Sequence, residues 1–294
     1  MKKKIVVARN AGFCFGVKRA IRLAFETAEK RGEEEIFTLG QIIHNPQVVE
    51  QLKEMGVRMV CDVDEVRCGT LIIRTHGITK GEMDALSERD LKIVDATCPF
   101  VKKAKEHALT LAREGYVLLI VGDREHPEVK SIISYVEDLT EVITEFDRIG
   151  STKRKRKAGV IAQTTQSQET LEKWVKKALS HFQEVRVYNT ICSATSVRQR
   201  ETVDLARRSD AVVIIGGRNS ANTRRLVELA SRENGRVYHI ERVEEVDSLD
   251  LSEAETIGVS AGASTPDWLI EEVIRKIRDS VEKGRGEVVV DTMR

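Results

Sequence analysis

The chain has 294 residues, a formal net charge of +1 and a hydrophobic content of 41%. This length predicts two or three domains rather than one small core, and the near-neutral charge argues against bulk attraction to nucleic acid. No apolar run approaches the length of a transmembrane helix, and five cysteines without short spacings argue against a disulfide framework. We therefore expect a globular, cytoplasmic protein whose partners include neither nucleic acid nor a membrane.

The first unit along the chain is an apolar strand, a turn that holds a cysteine, and a helix with a basic start. It occurs three times, as IVVARNAGFCFGVKRAI around Cys14, LKIVDATCPFVKKAKEHAL around Cys98 and VRVYNTICSATSVRQRETV around Cys192. Each cysteine would lie where a helix begins, and there the helix dipole and the unsatisfied N–H groups favour the thiolate. An iron–sulfur cluster is usually held by four cysteines, and three converging thiolates are one fewer. One metal of such a cluster would therefore lack a cysteine ligand and keep a coordination position open for catalysis.

A purely structural role is the alternative for these cysteines, because free cysteine often acts as a small buried hydrophobe. Cys61 and Cys68 fit that alternative, since they lie in CDVDEVRCG, outside the repeated frame. Cys14 and Cys98 share the frame C-x-x-V-K-[KR]-A with their neighbours, and Cys192 is followed by the related CSATSVRQ. We therefore favour a functional role for these three.

Two further units follow each cysteine unit. The second runs strand, glycine, polar turn and helix, in FTLGQIIHNPQVVEQL, VLLIVGDREHPEVKSII and AVVIIGGRNSANTRRLVEL. The third places a small polar turn between a strand and a helix, in TLIIRTHGITKGEMDAL, AGVIAQTTQSQETLEKW and TIGVSAGASTPDWLIEEV. The turns of the third unit centre on His76, on Thr164 with Thr165, and on Ser264. Alternating strands and helices predict an α/β fold of parallel sheets covered by helices, with the chemistry at the carboxyl ends of the strands.

The repetition predicts three copies of one α/β module, at residues 1–96, 97–190 and 191–294. The partition could differ, because the last strand-like run, EVVVD, could return to pair with an earlier domain. The charge run STKRKRKAG predicts a solvated loop before the strand GVIAQ. A nucleic-acid patch is the weaker alternative there, because no aromatic side chains are interleaved with the charges.

Three of the six histidines, His44, His76 and His126, lie on predicted turns at matching module positions. They could bind zinc, although their H-x-P spacing places no two of them on one helix face. Anion binding is the favoured alternative, because imidazolium donors would join hydroxyl and amide donors near several helix N-termini, as suits a phosphate or diphosphate. Those further donors are Thr165, Ser220, Ser264 and Asn222.

Glu128 is the candidate general acid. It follows His126 by two residues in EHPEV. A carboxyl group near a metal cluster and an anionic ligand should have a raised pKa, which suits proton donation. The alternative is an ordinary glutamate in the first turn of a helix.

The motifs together resemble one known family, the LytB-type 4-hydroxy-3-methylbut-2-enyl diphosphate reductases. The matching pieces, in chain order, are AGFCFGV, HNPQVV, RTHG, DATCP, EHPEV, QTT, NTICSAT, RNSANT and SAGAST. They span residues 11 to 266, so the resemblance covers nearly the whole chain. Each piece alone is a weak signal, whereas nine in series are highly specific.

The resemblance implies three pseudo-threefold-related α/β modules with parallel sheets around a central [4Fe–4S] cluster. It implies that Cys14, Cys98 and Cys192 are the cluster ligands and that one iron, without a cysteine, acts as a Lewis acid. It also implies a reductive removal of the hydroxyl of an allylic diphosphate, with Glu128 as the proton source and a flavodoxin or ferredoxin as the electron donor.

The resemblance further implies a set of substrate contacts, chiefly to the diphosphate: His44, His76, His126, Thr164, Thr165, Ser220, Ala221, Asn222 and Ser264. Ala221 is a departure, because the family often carries a second serine at this position. A phosphate contact there would need the backbone N–H of Ala221.

Two other functions stay open from the sequence. One is a non-enzymatic iron–sulfur redox sensor, against which the chain shows no obvious DNA-reading element. The other is a zinc hydrolase that uses the cysteines and histidines.

Overall fold

The computed structural model describes residues 2–30, 32, 34–151, 156–283 and 287–293. Strands and helices alternate along this part of the chain. The strands are β1 (Lys2–Val7), β2 (Ile36–Leu39), β3 (Val57–Val60), β4 (Gly69–Ile73), β5 (Leu91–Asp95), β6 (Val117–Val121), β7 (Val142–Ile143), β8 (Lys157–Ala162), β9 (Glu184–Val187), β10 (Ala211–Ile215), β11 (Val237–Ile240), β12 (Thr256–Ala261) and β13 (Glu287–Thr292). The helices are α1 (Phe15–Glu29), α2 (Pro46–Glu54), α3 (Lys80–Ser87), α4 (Pro99–Arg113), α5 (Pro127–Ser134), α6 (Gln168–Leu179), α7 (Ser193–Arg207), α8 (Ala221–Ser231) and α9 (Asp267–Lys283).

The strands form three sheets, and every strand pair within them is parallel. The orders are β11-β10-β12-β1-β13, β3-β2-β4-β5 and β7-β6-β8-β9. The predicted α/β class with parallel sheets is therefore confirmed. Parallel strands need crossover connections, which the intervening helices supply.

The central strands are apolar along their whole length because both of their faces are covered. All five residues of β6 (VLLIV) and all five of β10 (AVVII) are buried. This agrees with the expectation that the continuous apolar runs are strands buried on both faces. The charge run STKRKRKAG lies partly outside the described residues, since these omit 152–155.

The described residues divide into two compact units. One unit comprises 1–15, 44–48 and 193–294, and the other comprises 16–43 and 49–192. The first contains the five-stranded sheet, and the second contains both four-stranded sheets. The partition into three contiguous modules at residues 96 and 190 stays a prediction.

The N-terminal strand lies in the five-stranded sheet, among strands from the C-terminal third of the chain. β1 pairs with β12 on one side and with β13 on the other. Its pairing with β13 runs from Lys2 opposite Glu287 to Val7 opposite Thr292. The segment EVVVD thus returns to pair with the first strand, and local sequence patterns do not encode this strand order.

Within the described residues, no helix combines the length and the apolar character needed to cross a bilayer.

Candidate active site

Each cysteine of the repeated frame directly precedes a helix of 15 residues. Cys14 comes before α1, Cys98 is the N-cap residue of α4, and Cys192 comes before α7. None of the three forms a disulfide within the described part of the chain, and all three are half-buried. The predicted placement of these cysteines at helix starts is confirmed, and the positive end of a helix dipole favours negative charge there.

The backbone N–H of each of these cysteines is bonded to the polar turn of a third unit. The bonds run from Cys14 to the carbonyl of Ala263 at 3.2 Å, from Cys98 to Thr75 at 3.0 Å and from Cys192 to Thr164 at 3.0 Å. In each turn, the accepting residue is followed by a predicted substrate residue, which is Ser264, His76 or Thr165. The fold therefore couples each cysteine to one predicted substrate turn, although the sequence shows the two only as separate motifs.

Gly16, in the first turn of α1, packs directly on the thiol of Cys98. A Cβ atom at Gly16 would lie 2.5 Å from the Sγ atom of Cys98, which is closer than real Cβ contacts allow. The glycine of the motif CFGV is therefore required by this close approach.

Glu128 is buried in the first turn of α5, with only 1% of its surface exposed. Its carboxylate accepts two hydrogen bonds from Thr164, one from the backbone N–H and one from the hydroxyl, both at 2.7 Å. Burial raises the pKa of Glu128 to about 7, although the two bonds from Thr164 act to lower it. The predicted rise in the pKa is therefore present, with burial as its cause here. A further contribution from a nearby cluster and an anionic ligand stays a prediction. A carboxyl group with this pKa can hold and release a proton near neutral pH.

His126 is the N-cap of α5, and its ring lies edge-on to that of His76. The two ring centroids are 5.2 Å apart, with an interplanar angle of 89°. The Nδ1 atom of His126 accepts a hydrogen bond of 3.2 Å from the N–H of Glu128. A neutral ring that donates through Nε2 fits this cap. The predicted contact of His126 with an anion stays a prediction.

The carbonyl group of His44 is held by the turn around Ser264. It accepts a bond of 3.1 Å from the hydroxyl of Ser264, and a Cβ atom at Gly217 would lie 2.5 Å from it. The proton of this serine is therefore already used. The proposed contact of Ser264 with a diphosphate stays a prediction.

Ser220 and Asn222 lie at the start of α8 and are both about 4% exposed. The hydroxyl oxygen of Ser220 caps the helix by accepting from the N–H of Thr223 at 3.3 Å, so its own proton can still be donated. The amide nitrogen and oxygen of Asn222 are buried and have no hydrogen-bond partner among the described residues. Buried polar groups are almost always satisfied, so the Asn222 amide marks a place for a polar ligand.

The predicted site residues fall into two sets, one in each compact unit. The unit with the five-stranded sheet holds Cys14, His44, Ser220, Ala221, Asn222 and Ser264, and the other holds Cys98, Cys192, His76, His126, Glu128, Thr164 and Thr165. Cys61 and Cys68 are exposed and lie outside both sets; Cys61 directly follows β3, and Cys68 directly precedes β4.

Two buried polar residues of this region were missed by the sequence analysis. Gln163, which is 1% exposed, donates to the hydroxyl of Thr165 at 3.1 Å and accepts from the N–H of Asp123 at 3.1 Å. Arg198, which is 3% exposed, lies six residues after Cys192. The other two cysteine frames have a buried alanine at this position, Ala20 and Ala104. An arginine at a core-facing frame position is a signal that the sequence did carry.

Comparison with known proteins places these features in one family. The family described as LytB protein matches residues 5–278. The 4-hydroxy-3-methylbut-2-enyl diphosphate reductase of Geobacter sulfurreducens is 51% identical over 283 residues, which are 96% of this chain and 100% of that protein. The reductase of the same name from Trichlorobacter lovleyi is 50% identical, over 93% of this chain and 97% of its own length.

Solved structures agree with these sequence comparisons. A structure of (E)-4-hydroxy-3-methyl-but-2-enyl diphosphate reductase, described as the terminal enzyme of the non-mevalonate pathway, is 43% identical with a TM-score of 0.70. The match covers 94% of this chain and 99% of the chain in that structure. A reductase structure from Plasmodium falciparum is 23% identical, with a TM-score of 0.91. The match covers 100% of this chain and 93% of that chain, and at this identity it supports the fold alone.

Proposed function

Because this chain belongs to the LytB protein family, we propose that it is an oxidoreductase that removes the hydroxyl of 4-hydroxy-3-methylbut-2-enyl diphosphate. The reaction takes up two electrons and two protons and releases water, giving isopentenyl and dimethylallyl diphosphate as the last step of the non-mevalonate isoprenoid pathway. The observation that carries the proposal, beyond the relationship itself, is a buried carboxyl group, Glu128, whose pKa of about 7 suits proton delivery.

Cys14, Cys98 and Cys192 hold the proposed [4Fe–4S] cluster. The three half-buried thiols lie at helix starts, and the backbone N–H of each cysteine is bonded to a neighbouring turn. Cysteine thiolates are the usual protein ligands of such a cluster. When bound, the cluster supplies electrons and, at the iron without a cysteine, a Lewis acid.

Glu128 delivers the proton that allows the hydroxyl to leave as water. Thr164 fixes the orientation of the carboxyl group through its N–H and its hydroxyl. Burial keeps a large fraction of Glu128 protonated at neutral pH, and it excludes bulk water as a competing proton source.

The diphosphate is bound by the polar residues of the second and third units. The Asn222 amide and the Ser220 hydroxyl meet it at the N-terminus of α8, where the helix dipole also favours an anion. The N–H of Ala221 replaces the hydroxyl that a serine would offer. The remaining proposed contacts are His44, His76, His126, Thr164, Thr165 and Ser264.

The electron donor is a flavodoxin or a ferredoxin, and the enzyme is cytoplasmic and organised as three α/β modules. These statements are supported by the family relationship and by the repeated strand–turn–helix units.

The decisive experiment is anaerobic purification, followed by visible spectroscopy, iron and sulfide analysis, and turnover of the diphosphate with a chemical reductant. We expect a visible iron–sulfur spectrum and formation of both isoprenoid products. A cluster without binding or turnover of the diphosphate would favour the redox sensor, and zinc without iron would favour a hydrolase.

A further inference from the structure

Arg19, in the second turn of α1, supports the chain segment that leads into Cys98. Its guanidinium donates to the carbonyl of Asp95 and to that of Thr97, both at 3.2 Å. Thr97 is the residue directly before the cysteine. Arg19 also belongs to the frame that follows Cys14, so a helix that begins after one cysteine supports the approach to another.

Arg198, in α7, supports the segment that leads into Cys14. Its Nε atom donates to the carbonyl of Asn10 at 2.9 Å, and its Nη2 atom donates to that of Gly12 at 2.7 Å. Gly12 has a φ of 94°, in the left-handed region that favours glycine, so this segment makes a tight bend. From the same helix, the carboxylate of Glu201 accepts from the N–H and the side-chain amide of Asn10, at 2.9 and 2.6 Å.

The remaining cysteine helix, α4, makes a corresponding contact through aromatic rings. His107, in α4, stacks on Tyr188 with ring centroids 4.0 Å apart and an interplanar angle of 14°. Tyr188 lies four residues before Cys192. In chain order, the helix after each cysteine therefore contacts the segment that approaches a different cysteine.

We propose that Arg19 and Arg198 are positioning residues that fix the backbone approaching Cys98 and Cys14, so that the two thiols keep the geometry needed to hold the cluster. The inference rests on the proposed three-cysteine cluster. A guanidinium suits this role because its planar set of donors reaches two carbonyl groups at once, which a lysine ammonium on a flexible stem does less well.

Burial strengthens the argument for Arg198. A buried cation is retained only when its donors are satisfied, and two of its carbonyl partners lie within four residues of Cys14. A bond to a charged donor is also stronger than a bond between neutral groups, so each carbonyl is held more firmly than in an ordinary turn.

The test compares Arg19→Lys and Arg198→Lys with Arg22→Ala and Arg207→Ala in anaerobically prepared, cluster-loaded protein. Both control residues lie on the same two helices and have exposed side chains, paired with Glu26 and Glu233. The readouts are iron and sulfide per chain, the rate of iron loss to a chelator, the electron paramagnetic resonance spectrum of the reduced cluster, and the melting temperature.

We expect each lysine variant to keep its fold but to lose iron about tenfold faster, as the loss of one charged hydrogen bond implies. Its resonance spectrum should shift, because the thiolates are held in altered geometry. The two control variants should match the parent protein in both respects.

Iron loss at the parental rate with an unchanged spectrum in both lysine variants would overturn the positioning role and leave the cluster proposal intact. A parent protein without iron and sulfide would instead contradict the proposed function. If one lysine variant does not fold, the other decides. Unfolding of both, with both controls folded, would overturn the inference in favour of a general structural role.

Discussion

Glu128 combines two properties that are seldom found together in an ordinary first-turn glutamate. It is almost fully buried, and this burial raises its pKa well above the ordinary value. The N–H and the hydroxyl of Thr164 both donate to its carboxylate, and these bonds stabilise the charged form less than burial destabilises it. The capping alternative therefore explains its position in the helix but not its burial.

We predict that Glu128→Gln lowers turnover by roughly 10²-fold, the usual contribution of a general acid. Glutamine keeps the size of the side chain but has no transferable proton, so iron content and substrate binding should stay unchanged. The matched control is Glu125→Gln, because Glu125 lies three residues earlier and is exposed beside Lys130. Near-parental turnover of Glu128→Gln, with chemistry shown to be rate-limiting, would assign the acid role to another group.

The same residue should make stability depend on pH. The folded protein retains the Glu128 proton up to about pH 7, whereas the ordinary value is 4.5, so rising pH destabilises the folded state across this interval. The resulting loss in the free energy of unfolding is absent well below pH 4.5 and complete above about pH 7. At full size this loss is about 3 kcal/mol.

Anaerobic urea unfolding of the parent protein and Glu128→Gln at several pH values measures this effect. We predict that the stability of the variant, relative to the parent, increases by about 3 kcal/mol between acidic and mildly alkaline pH. Parallel stability curves for the two proteins would show that Glu128 is not held protonated by burial.

Substitution of Thr164 tests independently whether Glu128 is the general acid. Its hydroxyl lowers the pKa of Glu128, so Thr164→Val should raise that pKa further. Because a general acid must be protonated, turnover falls as pH rises through its pKa, and in the variant this fall should move to higher pH. The measurement is kcat against pH, and a fall at the same or a lower pH would be inconsistent with the assignment.

At the scale of elements, the contact between α1 and Cys98 sets the residue type at position 16. We predict that Gly16→Ala displaces the thiol of Cys98 and lowers the iron content of anaerobically purified protein, because the added Cβ atom would lie 2.5 Å from Sγ. Gly81→Ala, in helix α3, is the matched control, since a Cβ atom there meets nothing within 4 Å. An equal iron content in the two variants would show that α1 can shift away from Cys98 without loss of iron.

The elements themselves were largely predictable from sequence, because each has a local signal. The cysteine turns lead into α1, α4 and α7, and the apolar runs form buried strands such as β6 and β10. Pro99 and Pro127 mark the first turns of their helices, where the missing N–H has no cost.

What the sequence left undetermined depends on contacts between distant segments. The pairing of β1 with β13 joins the two ends of the chain, and no local pattern specifies it. The direction of the Ser264 hydroxyl, which is bonded to the carbonyl of His44, is likewise a property of the folded turn. The burial of Arg198 was detectable in principle, since it occupies an alanine position of the repeated frame.

At the scale of the whole molecule, one scheme of strand, turn and helix is used three times with different polar residues in the turns. A backbone bond from each cysteine to a third-unit turn recurs three times, from Cys14 to Ala263, from Cys98 to Thr75 and from Cys192 to Thr164. The repeat therefore anchors each cysteine in a similar way, while the residues that follow the three acceptors differ: Ser264, His76 and Thr165.

Joint ligation of one cluster by Cys14, Cys98 and Cys192 is the central element of the proposed function. The measurement is iron and sulfide per chain in five anaerobically purified serine variants, one for each cysteine, with the fold of each checked by circular dichroism. We predict that Cys14→Ser, Cys98→Ser and Cys192→Ser each lose most of their iron, and that Cys61→Ser and Cys68→Ser retain it. Full iron retention in any one of the first three variants would contradict the assignment.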